Sequence, residues 1–94
     1  MNTPAAQRVA VVTGGASGIG LAIATRFAAD GIAVIVADIS AAAARTTAES
    51  LRASGGKAIA VAADVSDPDA VRALVAQAVD EYGSLDIMVN NAGI

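Results

Sequence analysis

The sequence has no cysteine, no histidine and no tryptophan, a single lysine, and only two aromatic residues, Phe27 and Tyr82. Without cysteine there are no disulfides and no thiol nucleophile, and without histidine as well there is neither an imidazole base nor an ordinary zinc site. Two aromatics cannot build a stacking platform for single-stranded nucleic acid. Basic blocks are missing too. Six Lys plus Arg stand against nine Asp plus Glu, a net charge of −3, which argues against nucleic acid or an anionic membrane as a partner. No apolar run approaches the roughly 20 residues needed to cross a bilayer. The opening MNTPAAQR lacks the charged and apolar regions of a signal peptide, so a cytoplasmic location is expected.

What is present is an alternation of apolar and amphipathic runs over 94 residues, 55% of them hydrophobic, enough for one globular domain and too few for two. Residues 8–13, RVAVVT, are nearly all apolar, as in a strand buried on both faces of a parallel sheet. Thr13-Gly14-Gly15-Ala16-Ser17-Gly18-Ile19-Gly20 follows and opens a helix expected to run from Gly18 to about Asp30, with Ile19, Ile23 and Phe27 as its apolar stripe and Gly31 as its stop. Strand, glycine loop and helix in this order form a phosphate cradle. Gly14 permits the sharp exit from the strand, while Gly18 and Gly20 remove Cβ atoms where a pyrophosphate approaches and where helix packs on sheet. Free N–H groups of the first helical turn then face the anion, backed by the helix dipole. Read alone, a glycine-rich run is also compatible with an ordinary turn.

A second apolar run at 32–37, IAVIVA, completes a βαβ unit and ends at Asp38, eighteen positions after Gly20, where a dinucleotide fold sets an acid against the adenosine ribose. The competing reading of Asp38 is a cap for the next helix, expected over 41–53 and closed by Gly55-Gly56. A third strand is expected at 57–62. Ser66-Asp67-Pro68-Asp69 then starts a third helix, capped either by Ser66 or by Asp67 with Pro68 in the first helical position. Val71, Leu74, Val75, Ala78, Val79 and Tyr82 recur at core spacing along it, which makes Tyr82 a packing residue, and Gly83 ends the helix. A fourth strand over 85–89 delivers Asn90-Asn91-Ala92-Gly93 at its carboxyl end.

Four strands alternating with three helices predict an α/β doubly wound parallel sheet in the order 3-2-1-4. The winding reverses between strands one and four, and their carboxyl ends should part there to leave a crevice. The glycine loop leaves one of these strands and the Asn90 to Gly93 turn leaves the other.

TGGASGIG and NNAG together resemble the cofactor loop and the following signature of the short-chain dehydrogenase/reductase family, and the likeness runs over essentially the whole chain. The resemblance implies a Rossmann-type fold in which Gly14, Ser17, Gly18, Ile19 and Gly20 surround the diphosphate and adjoining ribose of a nicotinamide cofactor. Asp38 would take the adenosine ribose hydroxyls, and Asp64 with the Val65 backbone the adenine. Asn90, Ala92 and Gly93 would line the ribose side, with Asn90 also tying the fourth strand to Thr13; Asn91 is left out of the expected site. Asp38 favours NAD over NADP. A carboxylate roughly 4 Å from a 2′-phosphate costs about 4 kcal/mol per charge pair at an effective dielectric of about 20, whereas hydrogen bonds from free hydroxyls gain about 1.5–3 kcal/mol. Neither Ala16 nor Ile39 is the Arg or Lys with which the family often accommodates NADP.

The family's proton donor is a Tyr assisted by a Lys four positions later, with a Ser and an Asn beside them. Here the sole Tyr is Tyr82 and the sole Lys is Lys57, in the wrong order and twenty-five positions apart. The chain is therefore expected to be the amino-terminal cofactor-binding part, residues 1–94, of a longer oxidoreductase acting on a small alcohol, polyol, ketone or 3-oxoacyl thioester, the intact protein being a homo-oligomer, dimer or tetramer. An apolar fourth strand left as a bare sheet edge favours this over a complete, non-catalytic nucleotide sensor. A methyl-donor nucleotide site fits the Thr-first loop and the Asn-Asn turn poorly.

Overall fold

The computed structural model describes residues 7–91. Val9–Thr13 forms β1 and Ala33–Asp38 forms β2; all of β1 and the first five residues of β2 are buried. They pair in parallel, Val11 opposite Ile35 and Val12 opposite Val36. Ala58–Ala62 forms β3 on the far side of β2, and Ile87–Val89 forms β4 on the far side of β1, giving the parallel order β3-β2-β1-β4 expected from the sequence.

Strand residues alternate between two hydrophobic clusters, which is why the strands themselves need not alternate with polar residues. Val12, Val34 and Val36 face Ala24 of helix α1 (Gly18–Ala29) and Ala44, Ala48 and Leu51 of helix α2 (Ala41–Ala53). Val9, Val11, Ala33, Ile35 and Ala37 face Leu74 and Ala78 of helix α3 (Pro68–Tyr82). The first two crossovers step one way across the sheet and the third returns past β1. With right-handed connections, α3 must then cover the opposite face.

Two expected apolar stripes are narrower than their spacing suggested. On α1, Ile19 is 70% exposed, and the seam is made by Gly20 and Ala24 with Ile23 and Phe27 packed beside them. Small residues at i and i+4 let the helix sit so low that its first large side chain projects past the sheet. On α3, Leu74 and Ala78 are fully buried and Tyr82 packs on their cluster, whereas Val75 and Val79 are 38% and 47% exposed. Each follows a buried residue by one position, a rotation of about 100° away from the sheet.

Helix ends follow their local chemistry. Ser40 caps α2, accepting from the Ala43 N–H at 3.2 Å. Of the two expected caps for α3, Asp67 is the one used: it accepts from the Asp69 N–H at 3.0 Å, with Pro68 first in the helix. Gly83 ends α3 at φ 88, its N–H donating to the Val79 carbonyl. β4 is shorter than the expected 85–89 because Asp86 meets β1 partly through its side chain: Val9 N–H donates to Asp86 Oδ2 at 2.8 Å, and Asp86 N–H donates to the Val9 carbonyl at 2.9 Å. Among the described residues no helix is long and apolar enough to cross a membrane.

Leu74→Ala should lower unfolding free energy by about 2–5 kcal/mol, whereas Val79→Ala should stay within about 0.5 kcal/mol. Urea denaturation of the intact protein measures both.

Candidate functional site

Gly14 leaves β1 at φ 62, a left-handed turn that glycine enters without strain. The loop is then folded under its own helix. A Cβ on Gly20 would stand 2.1 Å from the Gly14 carbonyl oxygen and 2.7 Å from Asn91 Nδ2, so the helix reaches this position only with glycine there. Gly20 is buried, and its role in the structure is this close approach. Gly18 differs: at φ 55 it has nothing within 4 Å of where a Cβ would lie, and it opens onto free space beside the first turn of α1. Ser17, the residue before that turn, makes no side-chain cap, in contrast to Ser40 and Asp67 on the other helices. Ser17, Gly18 and Ile19 are all exposed. The amino end of α1 thus presents donors and positive dipole to an open cradle.

The loop is tied on both sides of the sheet's switch point. Toward β2, Gly15 N–H donates to the Ala37 carbonyl at 3.2 Å and Ala16 N–H to Asp38 Oδ2 at 3.3 Å. Toward β4, the Thr13 hydroxyl donates to the Val89 carbonyl at 3.0 Å and accepts from the Asn91 N–H at 3.0 Å, while Asn91 Nδ2 donates to the Gly14 carbonyl at 3.3 Å. The tie to Thr13 expected from Asn90 runs through the residues on either side of it. Asn91, left out of the expected site, is the side chain that reaches the loop. Two adjacent Asn after a strand give no sequence signal for which one turns inward, since a shift of one residue reverses the face. Asn90 is exposed at the carboxyl end of β4; Ala92 and Gly93 lie outside the described residues.

Between the ends of β2 and β3 lies a cleft of about 290 Å³ lined by Gly14, Asp38, Ile39, Ala63, Asp64, Val65 and Ser66. It brings together the first loop glycine, Asp38 and the Asp64-Val65 pair, three segments 24 or more positions apart in sequence. Ile39 and Ser66 join them without having been expected. Ile39 is 75% exposed although apolar, at the first position past β2. Ser66 acts on Asp64: its hydroxyl and its N–H donate to Asp64 Oδ1 at 2.7 and 3.0 Å, and these bonds hold the carboxyl below the ordinary value of 3.8. Asp38 caps no helix. Its Oδ1 accepts at 3.1 Å from the N–H of Ser40, the residue that does cap α2.

Tyr82 stands apart from this cleft, in the cluster under α3. Burial raises its phenol above the ordinary value of 10.0, the neighbouring Glu81 charge adds to this, and Arg52 opposes it. The side chain is neutral and part of the packing at physiological pH.

A family model described as short chain dehydrogenase matches residues 8–94. Among curated proteins, the chain is 49% identical over 87 residues to 1-deoxy-11-beta-hydroxypentalenate dehydrogenase of Streptomyces arenae, a match covering 93% of this chain and 31% of the relative. It is 52% identical over 89 residues to cis-4-hydroxycyclohexanecarboxylate dehydrogenase of Sinomonas cyclohexanicum, covering 95% and 35% of the two chains. Among solved structures, a hydroxysteroid dehydrogenase from Escherichia coli superposes with a TM-score of 0.90 at 38% identity over 95% of this chain and 38% of that one. A short chain dehydrogenase from Mycobacterium avium gives 0.88 at 41% identity, over 93% and 33%. The chain spans about a third of the length of the curated relatives it matches. Fold, glycine loop and relatives agree, and the chain belongs to the short chain dehydrogenase family.

Proposed function

We propose that this chain is the NAD(H)-binding, amino-terminal part of an oxidoreductase that moves hydride between nicotinamide and a small alcohol or carbonyl compound. The observation that carries the reading is the Asp38 carboxylate on the same cleft as Gly14, Asp64 and Val65. The residues present fit such a cofactor. The open space at Gly18 and the uncapped first turn of α1 leave room and donors for a diphosphate. NAD, when bound, supplies the hydride acceptor or donor.

This chain's own residues bind and orient. The amino end of α1 holds the diphosphate through backbone N–H groups, with Ser17, Gly18 and Ile19 around it. Asp38 accepts from the ribose hydroxyls and repels a 2′-phosphate, selecting NAD over NADP. Asp64 and the Val65 backbone would meet the adenine, and Asn90, Ala92 and Gly93 would serve the ribose side. Asn91 keeps the loop seated between the two halves of the sheet. The proton that balances hydride transfer is handled by a Ser, Tyr and Lys from the part of the protein beyond residue 94, and substrate choice and assembly into a cytoplasmic dimer or tetramer belong to that part as well.

In the intact protein, Asp38→Ala should weaken NAD binding roughly 10- to 100-fold, matching the loss of about 1.5–3 kcal/mol in charge-assisted hydrogen bonds. The NAD over NADP preference should fall with it, and isothermal calorimetry with both cofactors measures the ratio. An unchanged ratio would remove Asp38 from the ribose site.

The Ser66 bonds to Asp64 also set a pH dependence. Because folding lowers this carboxyl, its contribution to stability is present above the ordinary carboxylate range and is lost as pH falls through the lowered value. Ser66→Ala should move the Asp64 midpoint up toward 3.8, read by NMR titration of the carboxyl carbon.

A further inference from the structure

We propose that Asp38 is also a positioning residue for the glycine loop, holding Ala16 in place so that the anion-facing backbone is set before any ligand arrives. The inference rests on the reading of the cleft as a dinucleotide site and adds a second task to one of its residues.

The loop between β1 and α1 is bracketed by two glycines in left-handed conformation, Gly14 at φ 62 and Gly18 at φ 55. Glycine hinges at both ends make the intervening Gly15-Ala16-Ser17 costly to order unless something ties it. Gly15 is tied by the Ala37 carbonyl. The next residue, Ala16, is tied by a side chain, Asp38 Oδ2, from the end of the neighbouring strand β2. Ser17 adds no cap bond. The carboxylate is itself oriented, since its other oxygen accepts from the Ser40 N–H.

An ionised carboxylate has roughly four acceptor sites, and the bonds from Ala16 and Ser40 take two of them. Ribose hydroxyls can therefore be accepted without displacing Ala16. A residue that only recognises hydroxyls matters solely to ligands that carry them. A residue that also braces the loop matters to any ligand with a diphosphate, and its effect is measurable with no ligand at all.

Amide hydrogen exchange of the ligand-free intact protein provides the first test. Asp38→Ala should speed exchange at Ala16 about tenfold, with Val11 and Val34 unchanged. Asp38→Asn has one acceptor oxygen in place of two and should keep protection at no more than one of Ala16 and Ser40. In the second arm, 2′,3′-dideoxy-ADP, which has diphosphate and adenine but no ribose hydroxyls, should bind Asp38→Ala about tenfold more weakly than the unsubstituted protein by calorimetry. Unaltered exchange at Ala16 in Asp38→Ala, protection at both amides in Asp38→Asn, or unchanged dideoxy-ADP affinity would each overturn the bracing role. Failure of the unsubstituted protein to bind ADP or NAD would instead overturn the dinucleotide reading, and the exchange arm would still decide whether Asp38 holds Ala16.

Discussion

The approach of α1 to its own leading loop is the constraint on which the rest depends. With only 2.1 Å between the Gly14 carbonyl and the place a Cβ would occupy on Gly20, the helix and the turn before it form one packed unit. That contact fixes where the amino end of the helix points, and so where backbone donors and dipole converge. It also explains why Ile19 is left outside: a helix lowered onto a Gly20–Ala24 seam has no room beneath it for a large side chain at its first turn.

The loop is then held from both directions of the winding. Ala37 and Asp38 hold it from β2, and Val89 and Asn91 hold it from β4. At a switch point the neighbouring strand ends part, and backbone donors there need other partners. Thr13, fully buried, supplies part of the solution with a hydroxyl that donates to one neighbour and accepts from another. A valine of the same shape could do neither, which gives a polar residue at the end of an otherwise apolar strand a physical reason.

Proton affinity bears on division of labour. Asp64 is moved down and Tyr82 up, both away from neutrality, so neither is poised to exchange a proton at physiological pH. The function proposed for these residues is recognition: an anion at a helix terminus, hydroxyls at a carboxylate, and an apolar surface at Ile39 and Val65.

The sequence by itself determined the element order, the parallel sheet in the order 3-2-1-4, the sharp exit at Gly14 and the helix stop at Gly83, through local periodicity, turn chemistry and the handedness of crossovers, while the meeting of Asp64 with the glycine loop and Asp38 was implied by the family resemblance. Only the tertiary structure decided that Asn91 rather than its neighbour reaches the loop, that Asp67 rather than Ser66 caps α3, that Ile39 and Ser66 line the cleft, and that Val75 and Val79 stay exposed. Apart from the choice of cap, which is settled within one turn, each of these depends on which way a side chain faces once two distant segments have met. A rotation of about 100° on a helix or one step along a strand changes that facing while leaving the hydrophobic pattern almost the same.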